Sequence, residues 1–156
     1  HHCAESMIGD NPPHFVNVPD VVCDWDSTLQ TFLDFRSACL DRYGYIPWNL
    51  AICLQDGIPK DAWDQLHAIG AGAVFIGGSD HRFKLHYCER IAQEAAEDGA
   101  WVHCGRINGH NHLRRARDMG CIHSCDGSGF NCNPAALLPA LKTLRNPRGE
   151  VQHDLF

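Results

Sequence analysis

Leu-Ala-Ile-Cys-Leu-Gln-Asp-Gly, residues 50–57, is a short apolar run that stops at a polar and glycine signature. Four other runs stop in the same way: Val-Pro-Asp at 18–20, Ile-Gly-Gly-Ser-Asp at 76–80, His-Cys-Gly-Arg at 103–106 and Cys-Ile-His-Ser-Cys-Asp-Gly-Ser-Gly-Phe at 121–130. The last places a lone carboxylate, Asp126, where its strand ends. Runs of this kind alternating with helical patterns predict parallel βα units, in which ligands bind where the carboxyl ends of the strands meet the following loops. The candidate chemistry is therefore expected on one rim.

Outward from 50–57, the first unit is expected as a strand over 15–22 and a helix over 27–43. Ser27 and Gln30 have capping-box spacing, Leu29, Phe32, Leu33, Leu40 and Tyr43 form a stripe, and Gly44 stops the helix. The strand over 50–55 leads through Pro59 to a helix over 61–69. A strand over 73–76 precedes a helix over 82–97 that turns Leu85, Cys88, Ile91, Ala92 and Ala95 inward. The fourth strand spans 101–107 with a helix over 112–119, and the fifth spans 121–125. Asn133-Pro134 then offers a cap and first turn for a helix through 144. Strand starts are roughly 20 to 35 residues apart, the scale of a βα unit. The fold class is thus α/β, with parallel βα units forming a partial or complete TIM (β/α)8-type barrel, or alternatively an open five-stranded doubly wound sheet. Residues 1–14 read as an N-terminal segment, 15–145 as the βα domain and 146–156 as a tail.

With 156 residues, 44% apolar and 21% charged, the composition is that of a folded globular domain and not of a disordered chain. No run approaches the roughly 20 apolar residues of a membrane span, and the polar, Pro12-Pro13-broken start lacks a signal-peptide core. Nine cysteines, an odd number, cannot all pair within one chain. Cys53, Cys104 and Cys121 lie in apolar runs and Cys39 and Cys88 on helix stripes, so reduced, buried thiols and a cytoplasmic location are expected. A zinc site built from Cys121, His123, Cys125 and Cys132 is the weaker reading, because strand alternation sends neighbours to opposite faces. The net charge of −6 argues against a generally basic, nucleic-acid-binding surface. A local basic patch remains around Arg106, Arg114, Arg115 and Arg117, with Asp118 as its close counter-charge.

Taken in order, the strand ends resemble the queuine tRNA-ribosyltransferase superfamily, and within it the phage and short bacterial relatives linked to deazapurine incorporation. The resemblance covers 15–130 and implies the second half or so of that family's barrel. It implies that Asp20, in Val-Pro-Asp, and Gln55, in Leu-Gln-Asp-Gly, read a guanine edge, that the backbone of Gly77 and Gly78 lies against the base, and that Asp126 is the nucleophile. The family's second aspartate comes from an earlier strand that the sequence before Phe15 does not supply. Its cysteine-rich zinc motif is also missing, which tips the expected nucleic acid toward DNA, with tRNA as the other candidate. No cofactor or resident metal is implied.

The residue types suit that chemistry. Exchanging a base breaks a C1′–N bond through an oxocarbenium-like transition state, which a carboxylate below the sugar stabilises and captures. Guanine offers donors at N1 and N2 and acceptors at O6 and N7, which suit a carboxylate, Asp20, accepting from N1–H and N2–H, the Gln55 amide supplying a donor and an acceptor, and the Gly78 N–H aimed at O6. His103 and Arg106 stand at the fourth strand end, within expected reach of a sugar or phosphate. The expected partners are a purine or 7-deazapurine base and a nucleic acid. Five units leave sheet edges uncovered, so a homo-oligomer or a preceding segment is expected to cover them. Two other functions remain open: a purine or nucleic-acid binding module without catalysis, and a metal-dependent hydrolase built on His110 and His112.

Overall fold

The computed structural model describes residues 13–128 and the isolated positions 135, 139 and 142. Within 13–128 the order is β1 (Val16–Asn17), α1 (Trp25–Tyr43), β2 (Leu50–Leu54), α2 (Trp63–Ala68), β3 (Ala73–Ile76), a π-helical turn (Phe83–Tyr87), α3 (Glu89–Glu97), β4 (Trp101–Cys104), α4 (His110–Asp118) and β5 (Ser124–Cys125). The five strands are parallel and their spatial order is β1-β2-β3-β4-β5. The fold is α/β, with an open, curled half-barrel sheet and its helices. Of the fifth helix expected from Asn133-Pro134 only positions 135, 139 and 142 are described, each helical, and the tail lies outside the described residues.

Curling follows from contacts between strands that are not neighbours. A flat sheet would hold β1 and β4 about 14 Å apart, three strand spacings. Yet the His14 ring stacks on Trp101 with centroids 4.1 Å apart, and Phe15 meets His103 at 5.6 Å. The N-terminal edge therefore folds over the concave face toward β4. Asn49 secures it by donating from Nδ2 to His14 O at 2.9 Å.

Strand alternation separates two faces. Leu50, Ile52, Leu54, Val74, Ile76 and Val102 pack toward the helices in one cluster with Phe32, Trp63, Leu85, Ile91 and Leu113. Cys53, Phe75, His103 and Ser124 are register partners in a row across the other face. One step further along the strand direction come Gln55, Gly77, Gly105 and Asp126. The convex side holds the apolar core, and the concave side carries the chemistry.

Local structure corrects several sequence expectations. Asp24, not Ser27, caps α1: its carboxylate accepts the Ser27 N–H at 3.0 Å and the Ser27 hydroxyl at 2.8 Å. A carboxylate at a helix N-terminus also gains from the helix dipole, and the Ser27 bonds hold the Asp24 pKa below its ordinary value. The fully buried residues of α1 are Trp25, Thr28, Phe32 and Cys39, so the expected stripe shares only Phe32 and otherwise lies half-buried at its flank. The expected helix over 82–97 begins with the π-helical turn, in which the Cys88 N–H reaches Phe83 O at 3.0 Å. Strands β1, β4 and β5 are shorter than expected. In β1 the last bond to β2 runs from the Val18 N–H to Ala51 O at 3.1 Å.

Seven cysteines lie within the described residues and all are free. Cys39, Cys53, Cys88, Cys104 and Cys121 are buried as expected. Burial pushes the Cys53 and Cys104 thiols up to about 12 and raises Cys88 as well. No helix among the described residues is long and apolar enough to cross a membrane.

Candidate functional site

The strand ends surround a cleft of about 420 Å³, within the size range of small-molecule sites. Asp20, Gln55, Gly77, Gly78, Arg106 and Asp126 all line it. Six of the seven residues selected from sequence thus converge, and the seventh, His103, contacts Asp126 from the row behind.

Asp20 sits on the loop after β1, and Gln55 fixes that loop. Its Nε2 donates to Asp20 Oδ2 at 2.5 Å and to Cys53 Sγ at 3.2 Å, while its Oε1 accepts the Cys23 N–H at 3.1 Å. Gln55 is only 2% exposed. With both ends of its amide engaged, it braces Asp20 against the sheet. Thr28 pins the same loop by accepting from the Val21 N–H at 2.9 Å and donating to Val21 O at 3.1 Å. Across the rim, the Asp56 carboxylate takes the N–H and hydroxyl of Ser79, both at 2.8 Å, joining the loops after β2 and β3.

Two glycines keep the cleft open. A Cβ at Gly77 would lie 2.5 Å from Cys53 Sγ and 2.9 Å from Gln55 Nε2, and one at Gly105 would lie 2.6 Å from the Phe75 ring. Either side chain would force the wall apart.

Asp126 follows β5 and is held from the neighbouring strand end. Its Oδ1 accepts the Arg106 N–H at 2.6 Å, and its Oδ2 lies 3.3 Å from His103 Nε2. Its backbone closes the same junction, since its N–H bonds Cys104 O and its carbonyl accepts the Ile107 N–H at 2.6 Å. Arg106 takes φ 57°, a left-handed conformation uncommon outside glycine and concentrated at functional sites. The Asp126 side chain is still 54% exposed toward the cleft, whereas His103 is 12% exposed.

A chain of polar contacts continues behind it. Trp101 Nε1 donates to Ser124 Oγ at 2.9 Å, and Ser124 Oγ lies 2.8 Å from His103 Nδ1. An indole N–H can only donate and a carboxylate can only accept, so Ser124 Oγ accepts from Trp101 while the neutral His103 ring carries its hydrogen on Nε2 and accepts the Ser124 hydroxyl hydrogen at Nδ1. That leaves the His103 Nε2–H for Asp126 Oδ2. Phe75 stacks on the His103 ring with centroids 4.8 Å apart, fixing its plane. The result is one carboxylate, Asp126, oriented by two donors yet open to solvent.

Lys84 also lines the cleft and was not selected from sequence. It is 4% exposed, and its Nζ donates to Gly105 O at 2.9 Å. The signal was present: positions 84, 88, 91 and 95 repeat at helical spacing, so a lysine occupied an inward-facing stripe.

Two of the four arginines of the expected basic patch are engaged by carboxylates of the protein. Arg115 pairs with Glu89 at 2.5 Å, a counter-charge from α3 that the local sequence did not reveal, and Arg117 pairs with Asp118. Arg114 is exposed. Arg106 is the arginine of this group that lines the cleft. Of the histidines considered for metal binding, His112 stacks on His81 with centroids 3.4 Å apart. Among the described residues no group of three His, Cys, Asp or Glu side chains is placed to hold a metal ion; Cys132 lies outside them. Compared with known proteins, the chain matches no protein-family model and no curated sequence.

Proposed function

We propose that this cleft exchanges guanine for a 7-deazapurine on a nucleic acid, DNA or tRNA, with Asp126 as the nucleophile. The observation that carries the reading is the pairing in one cleft of two differently prepared carboxylates. Asp20 is locked by Gln55 in the wall, and Asp126 is aimed by the Arg106 N–H and His103 while remaining exposed. Such a division suits base recognition by one group and covalent capture by the other.

In this mechanism Asp126 attacks C1′ of the guanosine unit as the C1′–N9 bond breaks, and the bonding pair leaves with the purine. The glycosyl–aspartate ester is then attacked at C1′ by the ring nitrogen of the incoming 7-deazapurine, which releases the carboxylate. The proton gained by the departing base equals the one lost by the incoming base, so the exchange balances. Two inversions give net retention. The Arg106 N–H stabilises the carboxylate each time it is released, and Asp20 accepts from the N1–H and N2–H of the base. Gly77 and Gly105 let a planar ring approach the backbone closely.

The same reading takes the curled sheet as five of the eight strands of a (β/α)8 barrel, completed by a second copy of the chain or by additional strands. The decisive experiment mixes the protein with guanine-containing DNA or tRNA and a 7-deazaguanine and follows the adduct by intact mass. Asp126→Asn is expected to lose the adduct and to lower exchange by on the order of 10³-fold or more, while free guanine still binds. An Asn variant that still forms the adduct would remove Asp126 from the chemistry.

A further inference from the structure

Lys84 is buried in the cleft wall under conditions that are unfavourable without a ligand. An ammonium has three N–H donors. Its one hydrogen bond within the described residues goes to Gly105 O, and no carboxylate among them lies within 4.0 Å of it. Two donors are left over on a side chain 4% exposed that borders the cavity. Burying a cation without an ion pair or a full set of acceptors is strongly disfavoured, so the position calls for an acceptor arriving from outside.

The lysine is also held in a fixed relation to the reacting carboxylate. The peptide between Gly105 and Arg106 accepts from Lys84 Nζ through its carbonyl and donates through its N–H to Asp126 Oδ1. Its own helix is anchored as well: Asp80 Oδ1 accepts the Phe83 N–H at 2.9 Å, and the Phe83 ring fills the space where a Cβ on Gly78 would stand. A side chain tethered at both ends is a rigid wall group.

We infer that Lys84 is a specificity-determining residue whose ammonium donates to O6 of a keto-purine, an assignment that rests on the base-exchange reading above. The cleft offers a carboxylate, Asp20, that only accepts and an ammonium, Lys84, that only donates. Their complement is one small rigid ligand with donors beside an acceptor. Guanine has this pattern in N1–H and N2–H beside O6. A 7-deazaguanine lacks the N7 acceptor but keeps O6, so a contact at O6 serves the departing and the incoming base alike. Adenine places an amino donor where O6 would be and would leave the ammonium buried and unpaired.

A double-mutant-style cycle tests this by calorimetry, with guanine and 6-thioguanine as probes and wild type and Lys84→Met as proteins. 6-Thioguanine keeps both donors and replaces O6 with a poor acceptor, and its size difference cancels in the cycle. Wild type is expected to bind guanine about tenfold or more tighter than 6-thioguanine, and Lys84→Met to bind the two within about twofold. Thermal melting checks folding; if the Met variant does not fold, Lys84→Gln, which retains a shorter donor, takes its place and is expected to show a reduced ratio. Equal loss of both bases in a folded variant, or an unchanged ratio, overturns the assignment. Guanine binding that depends on Asp20 but not on Lys84 would overturn this assignment alone, leaving the exchange reading standing. A wild-type chain that binds no guanine overturns both.

Discussion

Leu50, Ile52 and Leu54 turn from β2 toward the helices, while Cys53 and Gln55 turn from the same segment toward the cleft. The first set is at most 1% exposed and has no polar side-chain atom, so shape and volume alone decide its packing. The second set is bound by direction: Gln55 uses its whole amide on Asp20, Cys53 and Cys23. Though their residues are neighbours in sequence, the two faces depend on different physics. Non-directional burial gives the convex face its stability and tolerates similar shapes. Directional bonding gives the concave face its geometry, and there a single atom in the wrong place is felt.

The largest expected effect on stability therefore belongs to the convex face. Ile52→Ala should cost about 2–5 kcal/mol in urea unfolding, from lost burial and the cavity left in a fully enclosed site. On the opposite face Ser124→Ala removes the hydroxyl between Trp101 and His103 and should cost about 1–2 kcal/mol. If Ser124→Ala proved as costly as Ile52→Ala, the concave face would be a second core and the comparison would fail.

This contrast also explains what the sequence could reveal. The convex face was legible because apolar alternation and run length report burial, which is why the expected and observed bounds of β3 agree. The rim was legible because strand ends gather polar residues and glycine: Asp20, Gln55, Gly77, Gly78, Arg106 and Asp126 were selected from five separate places and meet in one cleft. Two kinds of feature were not legible, and a third was legible but passed over. The bond from the Arg106 N–H to Asp126 depends on a positive φ that no pattern marks in an arginine. The Glu89 partner of Arg115 comes from another helix, 26 residues away. Lys84 was overlooked because a charged residue at a stripe position reads as a break in the pattern, although in the fold it is a buried donor.

Within the concave face, the two carboxylates should separate in function. Asp20→Ala should weaken guanine binding by about 2 kcal/mol or more, because it leaves two base donors without an acceptor and frees the Gln55 amide. Asp126→Asn should leave that affinity close to wild type, since its proposed task begins at the sugar. Calorimetry with free guanine compares them directly. An equal loss in both variants would mean that the two carboxylates form one binding group, and unchanged affinity in Asp20→Ala would take that residue out of base recognition.

The smallest expected effect lies at the rim, where the loop after β3 meets α4 and where neither rule is fully obeyed. His81 and His112 stack with centroids 3.4 Å apart, and the Nδ1 of each is buried without a partner among the described residues. Burial first, then the proximity of His112 and Lys84, lowers the His81 pKa, and Asp80 opposes this only in part. The sign follows from proton linkage. The unfolded chain takes up a proton near the ordinary value of 6.5, while the folded chain resists it, so the unfolded state binds more protons and stability increases with pH. The native stacking contributes in full above pH 6.5; stability falls as the pH drops through that value and levels off below the lower folded-state pKa. Replacing His112 with Phe keeps an aromatic partner and removes one of the neighbours that hold the His81 pKa down. Urea unfolding at pH 7.5 and 5.5 should then show a smaller acid-induced loss for His112→Phe than for wild type. Identical losses in the two proteins would mean that the stacked pair does not sense protons, and that the acid response belongs to the exposed carboxylates and histidines elsewhere.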